Sequence, residues 1–177
     1  YGQLVLARAG IIPAADYARR QTGAVNTLTV SPARAFAGAG GMSDQAPFVD
    51  AAVSIDPTNR GNTFISYYTY GEALGLALDL TLRGRPSPKT LDDFMRALWA
   101  RHGKLQTPAL APARPYTRAD AEAALASVTR DAAFARDFFQ RFVAGSALPD
   151  YPTLLAQAGF LVRPADRKSI LLNSSHG

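Results

Sequence analysis

The sequence has no cysteine and only two histidines in 177 residues. The first absence excludes disulfides and thiolate metal sites, without identifying a compartment. The second leaves the chain by itself without a catalytic zinc site: His102 and His176 lie far apart, and no His-Glu-x-x-His occurs. Nor is there a Ser-His-Asp or Cys-His set for a nucleophilic or acid/base enzyme working alone. Apolar runs are short, none reaching the roughly 18 to 20 residues that span a bilayer. The opening Tyr1-Gly2-Gln3-Leu4-Val5-Leu6-Ala7-Arg8 is not expected to be a signal peptide. Runs of lysine and arginine are also missing. The arginines are scattered singly (Arg19, Arg60, Arg83, Arg101, Arg130, Arg141), so the net charge of +5 is expected to belong to a solvated surface and no nucleic-acid partner is expected.

Nearly half the residues are hydrophobic, enough for one domain with a core but hardly for two. Strand signals are scarce, no internal repeat emerges, and alanine is abundant. An all-α fold of about six or seven helices is expected. Gly10 stops a first helix, and Pro13 opens a second that reaches about Leu28 before Ser31-Pro32. Residues 33–63 carry Gly38, Gly40, Gly41, Pro47, Pro57 and Gly61, and read as irregular with a helical turn near Phe48-Val49-Asp50.

A helix apolar on nearly every side follows over residues 64–83. Such a helix belongs inside a protein. It carries Tyr67, Tyr68 and Tyr70 near its start, and each phenol hydroxyl needs a partner if it is buried. Adjacent and i+2 positions diverge on a helix, so Tyr67 and Tyr70 cannot both share the face of Tyr68. Asp79 within this helix should pair with Arg83 one turn on.

Thr90 reads as the cap of a further helix, with Asp92 and Asp93 as first-turn acids that suit its dipole. Leu91, Phe94, Met95, Leu98 and Trp99 recur at helical spacing and are expected in the core. His102 is expected near that helix's C-terminus, where the dipole favours it, and Gly103 ends it. Thr117 and Asp131 cap two more helices, the second with a stripe of Phe134, Phe138, Phe139 and Phe142. Residues 151–158 form a last short helix, and Phe160-Leu161-Val162 a strand candidate. Residues 164–177 lack apolar periodicity and are expected to be a poorly packed or appended tail outside the helical unit of residues 1–163.

Tyr68-Thr69-Tyr70-Gly71, opening an apolar helix, resembles the Tyr-x-Lys-Gly motif of thermolysin-like zinc aminopeptidases. From about residue 1 to 162, five segments in order are similar to the C-terminal helical half of the glycyl aminopeptidase family's catalytic domain. They are Tyr1 to Gly10, Asp50-Ala51-Ala52 with Asn59, Tyr67 to Gly71 with Leu78 to Arg83, Leu91 to Trp99, and Tyr116-Thr117 with Asp137 to Gly145. The resemblance implies a helical subdomain of an enzyme that hydrolyses peptide bonds at N-terminal residues with small side chains. It implies that Tyr68 hydrogen-bonds the oxyanion of the tetrahedral intermediate, with Tyr67 and Tyr70 as candidate substrate-binding residues. It also implies zinc held by residues outside this chain, the N-terminal half of the same domain and a peptide as partners, and a PDZ-type domain downstream. Tyr70 stands where the family has lysine, and the zinc-binding motif would lie upstream of Tyr1. The chain is thus expected to be inactive alone. A non-catalytic helical interaction module, docking through residues 33–63, is the alternative.

Overall fold

The computed structural model describes residues 1–49, 59–104 and 114–163. Among them the chain is helical, with no strand, in ten α-helical segments. That exceeds the expected six or seven because the region around residues 33–63 is not simply irregular. Gly40 and Gly41, Pro47 and Gly61 each lie inside a short helix, and Gly38 sits at a helix N-cap.

α1 (Gly2–Arg8) ends before Gly10, whose φ of 72° turns the chain towards α2 (Ala14–Val30). Ser31 caps a 3-10 turn over Pro32–Ala35, its hydroxyl accepting from the Ala33 amide. α3 (Ala39–Asp44), α4 (Ala46–Val49) and α5 (Arg60–Thr63) follow. Gly38 starts α3 against Gly145, so closely that a Cβ at Gly38 would meet the Gly145 carbonyl oxygen at 2.1 Å. Asp50-Ala51-Ala52 lies outside the described residues, as does the tail from residue 164.

α6 (Tyr67–Arg83) is the central element. It begins at Tyr67 and not near residue 64, because Phe64 is extended (φ −135°, ψ 133°) where α5 ends. Phe64 and Ile65 are still buried, and the Ile65 amide points at the Met42 sulfur, 3.4 Å away. Tyr70, Ala73, Leu74, Ala77, Leu78 and Leu82 recur every three or four residues and make the buried stripe of α6. That stripe joins two apolar clusters. Tyr70 to Ala77 pack with Leu28, Met42 and Tyr151, while Leu78 and Leu82 pack with Phe94, Leu125 and Phe138.

Reciprocal Thr–Asp capping boxes start α7 (Leu91–Leu98, Thr90 with Asp93) and α8 (Arg118–Thr129, Thr117 with Asp120). α7 runs into a π turn, Trp99–Gly103. Only Leu91 and Phe94 of the expected α7 stripe are buried; Met95 and Trp99 are exposed. Met95 lies a quarter turn from Phe94, and the wider π turn takes Trp99 off the 3.6-residue period. Arg130, at φ 55°, ends α8, and Asp131 caps α9 (Ala132–Phe138), whose π extension is Phe139–Ala144. Phe138 and Phe139 are buried, and Phe134 and Phe142 pack partly buried against them. α10 (Tyr151–Gln157) is capped by Asp150. Phe160, Leu161 and Val162 form no strand; they are exposed, with no neighbouring strand among the described residues to pair with.

Candidate functional site

The three tyrosines at the start of α6 have three different environments. Tyr68, in the first turn, is 75% exposed. Its hydroxyl makes no hydrogen bond among the described residues, and its ring leans on Tyr67 at 4.6 Å between centroids. Tyr67 is partly buried and packs on the first apolar cluster. Tyr70 is fully enclosed, and neither its hydroxyl nor that of the buried Tyr151 has a partner among the described residues. Burial raises the pKa of both phenols, Tyr151 the further of the two. Tyr70 thus packs in the core, on the face of the helix turned away from solvent.

The start of α6 is electrically suited to a developing negative charge. No acidic residue lies in its first turn, and Ser66 at the N-cap makes no side-chain cap. The helix dipole and first-turn amides there favour an anion.

Glu72, Gly75, Leu76 and Asp79 continue the face of Tyr68 at steps of three and four residues, and line a narrow polar cleft against Tyr1, Tyr17 and Gln21. Gln21, buried on α2, donates to Glu72 at 2.7 Å. Burial, then the charges of Asp79 and Glu72, raise the Tyr17 pKa. Asp79 takes Arg83 at 2.7 Å, as expected, and also accepts the Leu91 amide at 2.7 Å. Asp92 is more than a first-turn acid. It receives the Tyr1 hydroxyl at 2.7 Å and Arg8 at 2.6 Å, so it ties α1 to α7. The bond from Tyr1, aided by Arg8, holds its carboxyl below the usual range. Sequence reasoning missed Gln21, Glu72 and Tyr17; the one signal in the sequence was the i+4 spacing of Tyr68 and Glu72.

A second concavity, about 300 Å³, lies among α6, α9 and α10, floored by Phe134, Phe138 and Phe142 with Asp137 and Arg141 at its rim. Asp137 and Arg141 pair with each other at 3.3 Å.

Among the described residues, no three His, Cys, Asp or Glu side chains converge as a metal site. His102 instead directs Nδ1 to the Arg114 carbonyl oxygen at 3.1 Å. No helix among the described residues is long and apolar enough to cross a membrane. Comparisons with protein-family models, curated proteins and solved structures found no match.

Proposed function

We propose that this chain is the C-terminal helical part of a zinc-dependent aminopeptidase, with Tyr68 as the donor that stabilises the transition-state oxyanion. The supporting observation is the exposed Tyr68 hydroxyl, uncommitted among the described residues, at the N-terminus of a helix whose other side is locked into both apolar clusters. A rigid helix behind an open phenol is what an oxyanion donor needs, because the donor must be positioned before charge develops. The phenol donates while neutral at pH 7. Tyr67, stacked on Tyr68, sets the ring's direction and is the better candidate of its two neighbours for lining a peptide site. Zinc, water activation and the pocket for the free amino terminus belong to the N-terminal half of the same domain, outside this chain. A PDZ-type domain downstream is part of the same reading.

The test is Tyr68→Phe in the complete enzyme. The loss should be about a hundred- to a thousandfold in kcat, with little change in KM, since the bond is made only in the transition state. Thermal stability should hold, because the ring that packs on Tyr67 remains. Full turnover in the Phe variant would remove Tyr68 from the mechanism.

The exposure of Val30, Phe36 and Phe48 supports a second reading, a non-catalytic helical interaction module that docks through the segment around residues 33–63. Zinc-dependent peptidase activity of the full-length protein separates the two.

A further inference from the structure

The chain contains no lysine–arginine run, yet one stretch of it carries basic residues with no acid to balance them. Arg96, Arg101, Lys104, Arg114 and Arg118 fall between Phe94 and Ala119 with no Asp or Glu among them, and the other 14 basic residues are balanced by 14 acidic ones. All five side chains are exposed. Arg96 leans on Asp93 at 3.5 Å; Arg101, Lys104, Arg114 and Arg118 make no ion pair among the described residues.

The fold brings Arg101 and Lys104, at the π turn after α7, to the stretch around Arg114 before α8; Arg96 lies by Asp93, and the Arg118 guanidinium lies against Gly40 of α3. His102 holds the Arg114 carbonyl at 3.1 Å, and its ring lies 5.6 Å from that of Tyr116. Trp99, the only tryptophan of the chain, is 57% exposed, and Tyr116 is 58% exposed. The Trp99 ring rests on Gly103 so closely that a Cβ there would lie 2.2 Å from it. The ring is thus held in place and half-open to solvent.

We propose that this end of the helical bundle docks on an anionic phospholipid surface. Tryptophan and tyrosine rings favour the water–lipid boundary, where lysine and arginine can lay their stems along apolar groups and keep their charges in the headgroup layer. Unpaired cations are drawn to an acidic leaflet without first breaking an ion pair.

The test uses Trp99 fluorescence of the full chain with phosphatidylglycerol–phosphatidylcholine vesicles and with pure phosphatidylcholine vesicles. A blue shift on the anionic vesicles alone, reversed by salt, is expected. Each basic residue near such a surface contributes about a fivefold factor in affinity. Arg101→Gln/Lys104→Gln/Arg114→Gln should therefore weaken binding on the order of a hundredfold with an unchanged circular dichroism spectrum. Absence of binding, equal partition into both vesicles, or unchanged affinity in the triple variant would overturn the proposal. So would tighter binding to a single-stranded oligothymidylate, read as quenching of Trp99.

Discussion

Asp79 of α6 caps α7, accepting the Leu91 backbone amide at 2.7 Å across twelve residues of sequence while its other oxygen holds Arg83. One carboxylate therefore fixes the spacing of the helix that carries Tyr68 and the helix that follows it. It also supplies negative charge to the α7 N-terminus, beside the Thr90–Asp93 box.

Asp79→Ala should cost about 1–2 kcal/mol, since it leaves a partly buried amide and Arg83 without their partner. Denaturant unfolding measures it. A cost within about 0.5 kcal/mol, the size of an ordinary surface change, would show that the cap contributes little.

Tyr70→Phe should leave stability unchanged or raise it by about 1 kcal/mol, because it removes a buried hydroxyl with no partner among the described residues and keeps the ring. Tyr151→Phe should behave alike. A loss of about 1 kcal/mol or more in either variant would show that the hydroxyl is satisfied.

Gly38→Ala should destabilise by about 1–3 kcal/mol, since the new Cβ would meet backbone at Gly145 and not a yielding side chain. Gly61→Ala, which meets nothing within 4 Å among the described residues, is the control and should be nearly neutral in the same thermal melts.

Acid should weaken the fold at the capping boxes. Hydrogen bonds from Thr90 depress the pKa of Asp93, and bonds from Thr117 depress that of Asp120. Each folded pKa lies below the unfolded value of about 3.9, so the unfolded chain binds more protons in that window. The stabilisation is full above that value and is lost as pH falls through the folded pKa. The slope of stability against pH below about 4 should flatten in Asp93→Asn and Asp120→Asn. An unchanged slope would remove the boxes as its source.

The isolated chain should neither retain stoichiometric zinc nor cleave aminoacyl substrates. Zinc analysis after dialysis and a peptidase assay check both, and activity of this chain alone would contradict the proposed division of the enzyme.

The sequence by itself determined the all-α class, the caps at Thr90, Thr117 and Asp131, the stop before Gly10 and the Asp79–Arg83 pair. All of these depend on groups within about one helical turn, where spacing alone sets geometry. It also separated Tyr67, Tyr68 and Tyr70 onto different faces, without saying which face was enclosed. Only tertiary packing decided that Tyr70 is buried and Tyr68 open, because α10 brings Tyr151 into the same cluster as Tyr70. The same holds for Gln21 with Glu72, Tyr1 with Asp92, and Asp79 with Leu91. Exposure of Trp99 was likewise illegible, since a 3.6-residue stripe does not foresee a π turn. Such features depend on which helices meet, and periodicity along one helix carries no information about the partner it will face.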